Sequence, residues 1–200
     1  MSAQGLSKSA LQQSKARLET YQKALPSLEL KRRKLQAAKS AADKELLQLE
    51  SAFADLLGVV PRELPMLANR SIDLDELVVV RRADVGRQNV AGVWLPTVES
   101  VDIEVKSYSM LVRPHWVDRV AELLAECADL KVRLEVARRR AEILGKARVK
   151  ITQRVNLFDK VLIPRTQAMI RRIQVHLGDA ERAAVVRAKV AQRKSRRASA

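Results

Sequence analysis

Residues able to do chemistry are few in this 200-residue chain, and they are poorly placed for it. His115 and His176 are far apart, and neither has a Cys or carboxylate at metal-ligand spacing. His115 reads as the start of a helix and His176 as the edge of a helical seam. The single cysteine, Cys127, falls on an apolar seam, where a buried small hydrophobe outweighs a reactive thiol. One cysteine cannot staple a fold, which suits a reducing compartment. No GxxxxGK[ST] phosphate loop occurs. Trp94 and Trp116 anchor either the segment around them or a partner. The chain therefore reads as non-catalytic, with no cofactor and no metal.

Charge is the chemistry that remains. The 38 basic and 23 acidic residues give +15, distributed as +4 over 1–57, −1 over 58–114 and +12 over 115–200. No acid follows Glu181, whereas Arg182, Arg187, Lys189, Arg193, Lys194, Arg196 and Arg197 do. Such asymmetry calls for an acidic partner: nucleic acid, anionic lipid or an acidic protein surface. The start MSAQGLSKSALQQS lacks the apolar core of a signal peptide, and no run reaches the length of a membrane span. The expected location is cytoplasmic.

The elements that must present this charge are helices. Aromatics make up 3% of the chain, and Ala, Leu, Val, Arg and Lys dominate, as in coiled coils. From Val120, core-type positions step by three and four through Leu123, Cys127, Leu130, Leu134, Ala137, Ala141, Leu144, Arg148, Ile151, Val155, Phe158 and Leu162. Only Arg148 breaks the series. A 3.5-residue repeat sustained this long predicts a left-handed coiled coil. Pro164 then interrupts the helix, and the seam resumes shifted by four through Thr166, Met169, Ile173, Leu177, Ala180 and Ala184. A second stripe runs from Leu11 through Leu18, Leu25, Leu28, Leu35, Ala38, Ala42, Leu46, Leu49 and Phe53 to Leu56, with Pro26 inside it. Gly58, Pro61 and Pro65 are expected to end that helix.

Between the helices the pattern changes. β-Branched runs around 76–82 and 99–106 predict two short antiparallel strands, joined by a long loop holding Gly86, Gly92 and Pro96. Val78, Val80, Val101 and Val105 would form the small sheet. Pro114 suits the first turn of the next helix. The expected fold is mostly α: a long antiparallel two-helix coiled coil with a small β-hairpin-containing insertion at the turn. Its parts are an N-terminal helix (1–57), the insertion (58–114), a C-terminal helix (115–192) and a basic tail expected to be disordered (193–200). The helices would extend roughly 75–85 Å and 110 Å at about 1.5 Å per residue.

If residue 57 faces residue 115, Leu162 lies beside residue 10, and the helix beyond Pro164 overhangs. The same register sets Lys31, Arg32, Arg33 and Lys34 level with Arg138, Arg139 and Arg140. Seven positive charges would then form a collar facing an acidic surface, or in part a solvated face.

Three stretches resemble the D subunits of V-type and A-type rotary ATPases. They are RVNLFDKVLIPRTQAMIRRIQ at 154–174 with its basic continuation, ALPSLELKRRKL at 24–35, and GVWLPTVE at 92–99. The first carries Val155-Asn156-Leu157 and Leu162-Ile163-Pro164-Arg165; the second carries Leu30, Lys31, Arg33 and Leu35. The resemblance implies a central-stalk rotor shaft that couples ATP turnover in a catalytic head to ion movement. By that resemblance Pro164, Arg165, Arg171 and Arg172 face the head. The partners would be the A and B subunits of the head, the small F subunit held by the insertion, and the funnel subunit on the membrane ring. Direct nucleic-acid contact and membrane insertion are not expected. The competing readings are a basic coiled-coil nucleic-acid binder and a scaffold, which association with ATPase head subunits, with nucleic acid or with neither would separate.

Overall fold

The computed structural model describes residues 6–68, 77–106 and 114–198. Helix α1 is Lys8–Glu63, followed by a 3-10 turn at Pro65–Ala68. Strands β1 (Val78–Val90) and β2 (Val93–Val105) form an antiparallel hairpin. Helix α2 (Trp116–Leu157) passes through a π-helical turn at Phe158–Leu162 into α3 (Ile163–Ala198). The mostly α fold with a hairpin insertion is as the periodicity predicts. The remaining stretches of the insertion, 69–76 and 107–113, lie outside the described residues.

The chain divides into two compact units, Met1–Leu30 with Ile151–Ala200, and Lys31–Lys150. In the second, the seam residues Leu35, Ala42, Leu134, Ala137, Ala141 and Leu144 are buried. Arg148, the one break in the repeat, is exposed and donates to Gln36 at 3.4 Å. Where the helices meet the insertion, Leu64, Leu77, Val117, Val120, Ala121 and Leu123 form a compact core. Trp116 packs against it, whereas Trp94 is 63% exposed. The two tryptophans therefore divide the roles open to them: one anchors the insertion, and the other faces solvent.

In the first unit Ser7 caps α1: its Oγ accepts from the Ala10 amide at 3.2 Å. Ile151, Val155, Ile170 and Ile173 are the buried residues among those described, and Tyr21 meets Phe158 edge-on with ring centroids 5.4 Å apart.

Four expectations are corrected. Gly58 and Pro61 do not end α1, which continues to Glu63. α2 begins at Trp116, and Glu63 accepts from Arg119 at 3.0 Å, so the register shifts by about ten residues, nearly three turns. Pro164 consequently does not mark the loss of a partner helix. Phe158 lies beside Tyr21, Glu181 pairs with Lys8 at 3.8 Å, and the seam remains covered as far as Ile173. Residues 182–196 are the uncovered, exposed stretch, and helix α3 continues to Ala198 through the segment expected to be a disordered tail.

The hairpin is also longer and tighter than expected. Each strand has 13 residues, and the connection is only Ala91–Gly92, with φ of 51° and 78°. Positive φ at both central residues matches the twist of the flanking strands, and Gly92 tolerates it without strain. Asn89 Oδ1 accepts the Gly92 amide at 2.9 Å, completing the turn. Gly86 and Pro96 are strand residues, opposite Thr97 and Arg87. Pro96 fits because both strands of a two-stranded sheet are edges, where an N–H is dispensable. Register shifts at Val80/Arg82 and Asp84/Val85 interrupt the ladder, as β-bulges do, and such irregularities increase the local twist.

Candidate functional site

The expected collar does not assemble as a single level. Arg138 donates to Glu50 at 3.1 Å and Arg140 to Glu45 at 3.4 Å, so both neutralise acids on α1. Lys34 lies eleven residues before Glu45, about 16 Å along the helix. Lys31, Arg32, Arg33 and Lys34 therefore stand apart from Arg138, Arg139 and Arg140. The cause is the register, which lies almost three turns from the expected one, the longer α1 contributing six residues of that shift.

What Lys31 meets instead is the hairpin. Gly92 lies at the strand turn, and a Cβ there would come 3.2 Å from Lys31 Nζ. Arg140 Nη2 donates to Gln88 at 3.4 Å, while its Nε is buried without a partner. Leu95, 1% exposed, is the hairpin's buried anchor. The hairpin thus lies back along the helices, with its tip toward Lys31.

The hairpin base is tied by charge. Arg81 holds Glu104 across the strands through Nε and, at 2.6 Å, through Nη2. That bond raises the Arg81 guanidinium above its ordinary value. Arg82 donates to Asp84 at 2.6 Å and Ser100 adds a 3.1 Å bond; the Arg82 bond is the main reason the Asp84 carboxyl is lowered. The four valines named from sequence do lie in the sheet. Val78 pairs with Val105, Val80 with Ile103 and Val101 with Ala83. Val80 and Val105 are 39% and 44% exposed, which leaves apolar surface on the hairpin.

At the proline, the sequence signal is the four-residue shift of the seam, and the structure supplies its mechanism. The Ile163 amide bonds to Phe158 O, an i→i+5 bond that places one extra residue in the turn. This wider turn directly precedes Pro164, whose ring would crowd the carbonyl four residues back and whose missing N–H would break an α ladder. Thr166 Oγ1 donates to Leu162 O at 2.6 Å, adding a side-chain bond at the same place. Pro164, Arg165, Arg171 and Arg172 are exposed on α3.

Long helices sealed by an apolar seam, with no polar or charged side chain buried among the described residues, define a coiled-coil protein. The family model described as that of the ATP synthase D subunit matches residues 10–193. The chain belongs to this family, the D subunits of V-type ATP synthases. It is 29% identical over 199 residues to the V-type ATP synthase D subunit of Borreliella burgdorferi, covering 96% of this chain and 95% of the relative. It is 35% identical over 189 residues to that of Chlamydia felis, covering 90% and 86%. To that of Chlamydia muridarum it is 31% identical, covering 94% of each chain. No helix among the described residues is long and apolar enough to cross a membrane.

Proposed function

We propose that the chain is the rotor shaft of a V-type ATPase or ATP synthase, turning inside the catalytic head and coupling ATP hydrolysis or synthesis to ion translocation. The observation that carries this reading is the apolar seam within each unit. Leu35, Ala42, Ala137, Ala141 and Leu144 in one unit, and Ile151, Val155, Ile170 and Ile173 in the other, are all buried between long helices. A close-packed interior resists shear, so helices sealed in this way can transmit torque. The shaft itself is non-catalytic; chemistry belongs to the A and B subunits around it. The exposed Pro164, Arg165, Arg171 and Arg172 face the head, the valine-bearing hairpin helps to hold the F subunit, and the funnel subunit seats the assembly on the membrane ring.

The test is rotation. In a complex reconstituted with this chain, a bead fixed to it turns in one direction when ATP is supplied. A reversible disulfide from α3 to a head subunit stops turnover, and reduction restores it. Undiminished ATP turnover with the cross-link complete would refute the shaft reading.

A further inference from the structure

The described arginines between residues 81 and 148 fall into two groups. Arg81, Arg82, Arg119, Arg133, Arg138 and Arg140 each pair with a carboxylate, and Arg148 bonds to Gln36. Arg87 and Arg139 make no ion pair and no hydrogen bond with any described residue. Glu142, the acid whose field Arg139 feels, is held by Lys146. These two arginines, from β1 and α2, line one groove of about 410 Å³ together with Val85, Trp94, Leu95, Pro96 and Ile143. Leu95 is buried, but Val85 is 48% and Trp94 63% exposed at the same groove.

Leaving a tryptophan in water forgoes the burial of roughly 150–250 Å². Trp and Arg are also the residues that most often dominate protein interfaces when desolvated together. We propose that this groove docks a segment of a partner protein carrying a large apolar side chain beside an acidic one. The apolar group would enter between Val85, Pro96 and Ile143 under Trp94. The carboxylate would bridge Arg87 and Arg139, the two groove cations that form no ion pair or hydrogen bond with a described residue, although Arg139 lies in the field of Glu142 and the Glu99 carboxylate lies over Gly86. A nucleic acid fits less well: stacking platforms track a phosphate chain with many cations, whereas this groove offers two cations and an apolar lining. The groove lies on the same hairpin but includes none of Val78, Val80, Val101 and Val105, and its occupancy does not depend on rotation.

The chain's two tryptophans allow a direct test. Full-length chain labelled with 5-fluorotryptophan gives two fluorine resonances, assigned with Trp94→Phe. It is titrated with each purified subunit of the reconstituted complex, with the assembled complex lacking this chain, and with a single-stranded oligonucleotide. One protein subunit should shift the Trp94 resonance and leave that of Trp116 in place. Arg87→Gln with Arg139→Gln should weaken that binding at least tenfold with helix content unchanged, and the double Lys variant should recover part of it. The groove is overturned as a protein site if full assembly leaves Trp94 unmoved, if the Gln variant binds as tightly, or if only the oligonucleotide moves the resonance. A chain that assembles and turns with Trp94 unmoved sinks the groove and leaves the shaft reading standing.

Discussion

Leu144 and Leu35 are each 1% exposed, and their burial supports the seam in the Lys31–Lys150 unit. Leu144→Ala should lower unfolding free energy by about 2–5 kcal/mol, the usual range for a buried leucine. Denaturant titration followed by helical circular dichroism measures it; a loss below about 1 kcal/mol would mean the seam is loosely packed. At Asp84 the sign runs with acid. Its folded carboxyl is lowered, chiefly by the Arg82 hydrogen bond, so its contribution is complete above the ordinary carboxylate value of about 4. It is lost as pH falls through the lower folded value. The carboxyl carbon shift of Asp84 should accordingly titrate below that of Asp84 in a peptide of the same sequence, and Arg82→Gln should move it upward. A midpoint unchanged in the variant would remove Arg82 as the cause.

The π-helical turn acts one level up, on a whole helix. A proline in a regular helix interior costs about 3 kcal/mol, and the extra residue at Phe158–Leu162 lets the chain keep Pro164 without abandoning the helix. Pro164→Ala should therefore stabilise the isolated chain, by less than that full amount because the wide turn already relieves the clash. In the reconstituted complex it should reduce ions moved per ATP while assembly persists. An unchanged coupling ratio, with assembly intact, would make the turn a tolerated irregularity instead of part of the coupling device. The hairpin is the second such element. Leu95 is its buried anchor, so Leu95→Ala should raise hydrogen exchange across Val85–Val98 and leave that of α1 and α2 nearly unchanged. Equal effects on hairpin and helices would mean that they unfold together.

For the molecule as a whole, charge should govern how fast it finds its partners. The net charge is +15, and residues 182–196 on α3 are exposed with no acid among them. Electrostatic steering raises association rates and is screened within a Debye length of about 8 Å at physiological salt. Association with the complex lacking this chain should slow as salt rises. Replacing Arg182, Arg187, Lys189 and Arg193 by Gln should flatten that dependence while dissociation changes less. Stopped-flow association at several salt concentrations tests this, and a slope equal to that of the unaltered chain would assign the steering elsewhere.

Local order is written into the residues themselves. A repeat of 3.5 residues marks the same stripe wherever the helix lies, so Leu134, Ala137, Ala141, Leu144, Ile151 and Val155 are legible as seam and are buried. The shift of the seam at Pro164 is equally legible, because an extra residue in a helix displaces every later apolar position. The facing of one helix by the other is not. Both stripes repeat at nearly the same spacing, so several registers satisfy them almost equally, and what distinguishes them is where α1 ends and the buried core of Leu64, Leu77, Val117, Val120, Ala121 and Leu123 that closes over that end. The hairpin misleads for a related reason. Gly86 and Pro96 favour loops in isolation, yet each is accommodated in a strand by its cross-strand partner and by the free edges of a two-stranded sheet. The groove between Arg87 and Arg139 belongs wholly to tertiary structure. Its residues lie some fifty positions apart in sequence, and only packing of the hairpin along α2 makes them neighbours.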